Sequence, residues 1–144
     1  MSSAVLTSPP EATSSGRYRR CQLVFKWHPV FAPQYVNIVR GFELVVCFMT
    51  VAEMRQGALG ANWGERKCAL LGAYLDDFSV LHSDSVLGAT WAEVRNESMR
   101  KGRQMGTADA WIAAAALVLS APLVTNNPSD YRHLNGLQLI SASA

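Results

Sequence analysis

Three acidic residues that lie far apart in the chain occupy positions at which a catalytic or metal-binding site would be expected. Glu53 follows an apolar run at 42–49, Asp109 lies near the start of an apolar helix, and Asp130 follows a short apolar segment at 122–125. In open parallel sheets, ligands gather just beyond the carboxyl ends of the strands, so these carboxylates could converge on one point. Clustered carboxylates repel one another unless a cation neutralises them. Oxygen ligands of this kind select Mg²⁺ or Mn²⁺, which activate water and stabilise the charge on a phosphodiester.

Each acid also has an ordinary structural explanation. Thr50 and Glu53 have the spacing of a capping box, in which the glutamate bonds back to the threonine amide. Asp109 near a helix N-terminus suits the helix dipole. Asp130 ends an Asn-Asn-Pro-Ser-Asp segment, which is ordinary turn chemistry. Taken singly, each of these explanations is favoured, and only their joint convergence argues for a metal site.

The elements that would position these acids alternate between strands and helices. Apolar runs and periodicity predict strands at 42–49, 80–81, 122–125 and 137–141, helices at 33–40, 50–60, 62–78, 84–103 and 107–119, and a short segment of strand character at 21–27. Asp84 is the predicted cap of the long helix. This alternation indicates an α/β fold in which helices flank a parallel sheet on both faces, giving three layers.

Length and charge indicate one domain with a distinct leader. The 144 residues suit a single domain, and 49% hydrophobic residues are enough for a core. Residues 1–40 carry five basic groups and one acid, whereas the rest of the chain is mildly acidic. A basic arm can meet nucleic acid, but five charges favour a solvated tail. We predict a flexible or divergent segment at 1–22 and a folded domain at 23–144.

Several function classes are disfavoured by what the sequence lacks. The three cysteines form no C-x-x-C pair and the three histidines show no H-E-x-x-H spacing, which argues against zinc and a disulfide framework. The longest apolar run, 110–124, is interrupted by Ser120 and Pro122 and falls short of a membrane span. No apolar signal segment opens the chain, so we expect a cytoplasmic protein. The glycines fit no nucleotide-binding loop.

Five segments of the chain resemble the PIN domain, and within that group the VapC-type toxins of bacterial toxin–antitoxin pairs. They are 50–54, 62–66, 91–95, 106–114 and 122–131, of which 106–114, Gly-Thr-Ala-Asp-Ala-Trp-Ile-Ala-Ala, is the strongest. Order and spacing agree over 30–144. The resemblance implies a three-layer PIN-like fold and a Mg²⁺-dependent (or Mn²⁺-dependent) endoribonuclease. It also implies a cognate antitoxin and a homodimer as partners.

The resemblance assigns roles to residues at the predicted sheet edge. By resemblance, the second, third and fourth acidic positions of the family, which are catalytic and bind metal, are Glu53, Asp109 and Asp130. The supporting polar residues are Thr125, Asn126 and Glu93, the last of which is equally well explained as an exposed helix charge. The basic end of the long helix would contact RNA phosphates or form a solvated face: Arg95, Arg100, Lys101 and Arg103.

The N-terminus departs from the family pattern. The family begins with an apolar strand that ends in Asp-Thr-Asn or Asp-Thr-Asp, and its first Asp is a principal metal ligand. Counting back from Phe25-Lys26-Trp27, that triplet falls at Arg17-Tyr18-Arg19, where basic residues stand. The first strand is therefore missing or degenerate, and 1–22 would be a replaced N-terminus. Leu23-Val24-Phe25 would then have to take the place of that first strand in the sheet.

Two functions follow from this departure. The first is an active metal-dependent ribonuclease toxin. The alternative is a catalytically inactive PIN relative that has lost the first Asp and keeps only antitoxin binding or dimerisation.

Overall fold

A computed structural model describes residues 22–26 and 41–141 of the chain. Within these residues, parallel strands form one sheet in the order β3-β2-β1-β4-β5. The strands are β1 Gln22–Phe25, β2 Glu43–Cys47, β3 Ser79–Leu81, β4 Leu123–Val124 and β5 Leu139–Ile140. The helices are α1 Phe48–Gly60, α2 Glu65–Leu75, α3 Ser85–Arg100 and α4 Thr107–Leu119, with a 3₁₀ turn at Pro128–Asp130.

The central strand is β1, which lies between β2 and β4. Leu23, Val24 and Phe25 are all buried, as expected for a strand that is covered on both faces. The predicted strand character of 21–27 is therefore confirmed over Gln22–Phe25, and the sheet has its central strand. That strand is degenerate by the family pattern, because the residue that follows it is Lys26 rather than an Asp.

The helices cover both faces of the sheet, which confirms the predicted three layers. On one face, Val24 and Leu123 pack against α4, whose residues Ala113–Ala116 are completely or almost completely buried. The small alanine side chains allow α4 to lie between the sheet and α3. On the other face, Phe25 and Val46 pack against Phe78, with Val51 and Tyr74 beside them.

Two helix starts differ in how well the sequence predicted them. Asp84 caps α3 as predicted, and its carboxylate accepts a hydrogen bond from the Leu87 amide at 2.8 Å. The prediction for α1 was wrong by two residues, because β2 ends at Cys47 and the helix begins at once with Phe48. Thr50 therefore lies inside α1, and the capping box that would have explained Glu53 does not form.

Some predictions concern residues outside the described ranges. The helix expected at 33–40, the Arg17-Tyr18-Arg19 triplet and the replaced N-terminus belong to this group, so the division at residue 22 stays a prediction. Among the described helices, none combines the length and the apolar character needed to cross a membrane.

Candidate functional site

A lysine and two aspartates meet at the carboxyl edge of the sheet. Lys26 is the first residue after β1, Asp109 lies in the first turn of α4, and Asp130 ends the 3₁₀ turn that follows β4. The Lys26 Nζ atom lies 3.0 Å from Asp109 Oδ1 and 3.6 Å from Asp130 Oδ2. Lys26 and Asp130 meet because β1 and β4 are neighbours in the sheet, and Asp109 joins them because α4 packs on β1.

Tyr131 forms the floor of this site. It is 0% exposed, and its hydroxyl donates a hydrogen bond to Asp109 Oδ1 at 3.1 Å. The Lys26 Nζ atom lies 5.2 Å from the centre of the Tyr131 ring, within the range of a cation–π contact. Burial raises the pKa of Tyr131 far above its usual range, and the charge of Asp109 raises it further. The hydroxyl therefore remains a neutral donor that orients Asp109.

Glu53 belongs to the same electrostatic environment. It is exposed on α1, and its pKa is raised by partial burial and then by the charge of Asp109, while Lys26 acts in the opposite direction. The three acids, Asp109, Asp130 and Glu53, also all raise the pKa of Tyr131. Contacts with Lys26 bring Asp109 and Asp130 together, whereas Glu53 is linked to them only through these effects on pKa, and the catalytic roles of all three stay a prediction.

The predicted supporting residues occupy different surroundings. Thr125 is buried directly after β4, and its hydroxyl accepts a hydrogen bond from the Asn127 amide at 3.0 Å, which shapes the loop that leads to Asp130. Asn126 is half-buried in the same loop. Glu93 is exposed on α3, which agrees with its alternative explanation as a solvated helix charge. The contact of Thr125 is thus with the loop backbone, and its supporting role stays a prediction.

The predicted RNA-binding residues divide into two kinds. Lys101 contacts Glu97 and the carbonyl of His133, and Arg95 donates to the carbonyl of Met105, so both hold the fold together. Arg100 and Arg103 are exposed. Structural contacts therefore account for part of this basic cluster.

A cavity lies beside the C-terminal half of α3 and the residues that follow it. Arg95 and Arg103 line this cavity of about 530 Å³, which extends to Gly106, at the start of α4. A Cβ atom placed on Gly106 would lie 3.7 Å from Asp109 Oδ2. The cavity and the carboxylate site are therefore adjacent.

The residues present do not fit the divalent ion that the family resemblance implies. Both aspartates are engaged by the Lys26 ammonium, and a second cation placed beside it would be repelled. Among residues 22–26 and 41–141, no group of three or more His, Cys, Asp or Glu side chains is arranged to hold a metal ion. The Mg²⁺ or Mn²⁺ expected from the sequence therefore has no ready site while Lys26 stands there.

The profile of the PIN domain family matches residues 25–136. The chain belongs to the PIN domain family. Ribonuclease VapC1 of Haemophilus influenzae is 28% identical over 109 residues, which cover 76% of this chain and 81% of that protein. The tRNA(fMet)-specific endonuclease VapC of Shigella flexneri is 26% identical over 118 residues, which cover 82% and 89%.

Solved structures confirm the PIN fold. VapBC-1 from nontypeable Haemophilus influenzae superposes with a TM-score of 0.75 at 23% identity, covering 84% of this chain and 97% of that one. VapBC2 from Rickettsia felis, bound to a DNA fragment from its promoter, gives a TM-score of 0.73 at 20% identity, covering 83% and 98%. At these identities the likeness shows the fold alone.

Two residues that contact the aspartates of this site, Lys26 and Tyr131, were given no role in the sequence analysis. Lys26 stands directly after the central strand. The apolar run Leu23-Val24-Phe25 was the available signal, because a buried central strand delivers its next residue to the site. Tyr131 directly follows Asp130, but its burial could not be read from a turn-rich segment.

Proposed function

We propose that this chain is a VapC-type ribonuclease of a toxin–antitoxin pair, with RNA as its substrate. The observation that carries the proposal is the meeting of Asp109 and Asp130 beyond β1 and β4, with Glu53 in the same electrostatic environment. Relatives named as VapC ribonucleases and endonucleases support it over most of the chain. Such a protein would act in the cytoplasm, where its RNA and its antitoxin are found.

The site offers groups that suit an RNA backbone. The Tyr131 hydroxyl and the Lys26 ammonium hold Asp109 in a fixed orientation at the sheet edge. The exposed Arg103 lines the neighbouring cavity, where its cationic side chain would contact phosphates without reading the bases. RNA lying in this cavity would reach the Asp109 carboxylate at the start of α4.

The partners of the proposed toxin follow from the solved relatives. The VapBC structures contain an antitoxin with the toxin, which supports a small antitoxin as the partner of this chain. We also propose a homodimer. Co-expression with the product of the adjacent reading frame, followed by light scattering of the purified material, would measure both associations.

A second candidate is an inactive PIN relative that keeps only antitoxin binding or dimerisation. One observation favours it: the Lys26 ammonium binds both aspartates in the site. In that case the carboxylates would serve stability rather than hydrolysis.

A cleavage assay separates the two candidates. Structured RNA is incubated with Mg²⁺ or Mn²⁺ and with either the wild-type chain or Lys26→Ser, each with and without Asp109→Asn. Cleavage by the wild-type chain that Asp109→Asn abolishes supports the ribonuclease, whereas cleavage by Lys26→Ser alone supports a relative that Lys26 keeps inactive. The matched control is Asp76→Asn, which removes an exposed carboxylate at the end of α2 and should leave cleavage unchanged. If neither folded form cuts RNA, the inactive relative is the correct function.

A further inference from the structure

We infer that Lys26 is the resident cation of this site: its ammonium holds the place between Asp109 and Asp130 that a divalent ion would need, and so masks the carboxylates from metal. The inference deepens the proposed function and rests on it for the identity of the site. Its test uses metal binding, which does not depend on RNA cleavage.

The first support is the way in which Lys26 shares its partners. One ammonium lies 3.0 Å from Asp109 Oδ1 and 3.6 Å from Asp130 Oδ2, so it bridges two carboxylates from different segments. The same Asp109 oxygen also accepts the Tyr131 hydroxyl hydrogen bond. A metal ion that used this oxygen would have to displace the ammonium, because both would need the same negative charge.

The second support is the anchoring of Lys26. Its backbone amide donates to the Val124 carbonyl at 3.0 Å, which continues the pairing of β1 with β4. Its side chain is 22% exposed and lies against the Tyr131 ring. Many surface lysines contribute little because their side chains are free to move. Here the backbone is fixed by the central strand, so the ammonium is delivered to one place.

The third support is the balance of charge. Three acids, Glu53, Asp109 and Asp130, act electrostatically on this region, and Lys26 reduces their combined charge from three negative charges to two. Replacement of Lys26 by a neutral residue would leave three negative charges, and replacement by Asp would leave four. Coulomb attraction for a divalent ion rises with each step, and the repulsion by the ammonium disappears.

The experiment titrates the purified full chain with Mn²⁺ and Mg²⁺ alone, by calorimetry and by Mn²⁺ electron paramagnetic resonance. The variants are Lys26→Met and Lys26→Asp, each also combined with Asp109→Asn. The matched control is Lys67→Met, which removes an exposed lysine on α2. Its ammonium lies 5.8 Å from the centre of the Trp63 ring, away from the carboxylates of the site.

We expect the wild type and Lys67→Met to show no saturable binding at this site. Lys26→Met and Lys26→Asp should bind Mn²⁺ tighter by roughly tenfold or more, and Asp109→Asn should remove that gain. Saturable binding by the wild type that depends on Asp109 and equals that of Lys26→Met would overturn the inference. So would the absence of binding in both Lys26 variants when circular dichroism shows them folded.

The outcomes remain distinct from those of the proposed function. If metal binding appears in the Lys26 variants but RNA is not cut, the masking stands and the ribonuclease proposal fails. If the wild type cuts RNA as fast as the variants in an Asp109-dependent reaction, the ribonuclease stands and the masking fails.

Discussion

Two lysines of this protein make ion pairs with carboxylates in different settings. Lys101, after the end of α3, contacts Glu97 at 2.7 Å, Asn135 Oδ1 at 3.3 Å and the carbonyl of His133. It therefore meets one acid and two neutral acceptors and ties α3 to the loop after Tyr131. Lys26 meets two acids and has a third nearby. A lysine ammonium whose charge is balanced by one carboxylate anchors a loop, whereas one that faces several carboxylates occupies a position suited to a cation.

The carboxylates of the two regions show this difference in their pKa values. Burial would raise the pKa of Glu97, but hydrogen bonds from Lys101 and the Asn135 amide outweigh it, so the pKa lies below its usual range. The pKa of Glu53 is instead raised by partial burial and by the charge of Asp109. The sheet edge therefore keeps an excess of negative charge that the α3 region lacks.

The largest expected effect concerns the floor of the sheet edge. Tyr131→Ala should lower the free energy of unfolding by about 3–5 kcal/mol, because it empties a fully buried aromatic position. Tyr131→Phe should cost only about 1 kcal/mol, since it removes one hydrogen bond to Asp109 and keeps the packing. Urea denaturation of both variants measures the difference. Equal losses would mean that the hydroxyl, rather than the ring, maintains this edge.

A smaller effect should separate the two lysines directly. Lys101→Met should lower stability by about 1–2 kcal/mol, because the Glu97 carboxylate and the loop carbonyl lose a shared donor. Lys26→Met should cost about 1 kcal/mol in metal-free buffer, and added Mn²⁺ should restore it by binding the native state. Thermal unfolding with and without Mn²⁺ measures both. If Mn²⁺ restored the stability of Lys101→Met to the same extent, the two lysine regions would not differ in how they bind cations.

The smallest effect is a pH dependence confined to the Lys101 region. Burial lowers the pKa of His133 below its usual value of 6.5, and Arg103 and Lys101 lower it further against the opposing charge of Glu97. The unfolded chain then binds a proton below about pH 6.5 while the folded chain does not. Stability should therefore be full above that pH and decline as the pH falls through this window. His133→Gln should flatten the decline in urea titrations, and an unchanged slope would assign it elsewhere.

The sequence was sufficient for the parts of the fold that depend on local chemistry. The Asp84 cap, the apolar helix at 107–119 and the strand after residue 42 follow from side-chain type and periodicity. The capping box at Thr50 was wrong because the end of β2 depends on pairing with β1 and β3, which leaves no turn before α1.

The candidate site could be predicted only in part. Asp130 was found because it follows a strand of a parallel sheet, and Asp109 because it lies in the first turn of the buried helix that right-handed crossovers place beside the same edge. The bridging role of Lys26 could not be read from local sequence, since a lysine after a three-residue apolar run is typical of an exposed strand end. Its role depends on β1 occupying the central place of the sheet, which is a property of the whole topology.

The run of alanines in α4 has a consequence for how this chain can change. Because Ala113–Ala116 leave little depth between sheet and helix, a larger residue there would lever the front of α4 outward. Asp109, one turn earlier on the same helix, would move away from its neighbours although no charge had been altered. The distances between the acidic groups thus depend on the small side chains of these buried alanines. Mutations in the core of the protein can therefore disturb the site as much as mutations in the site itself.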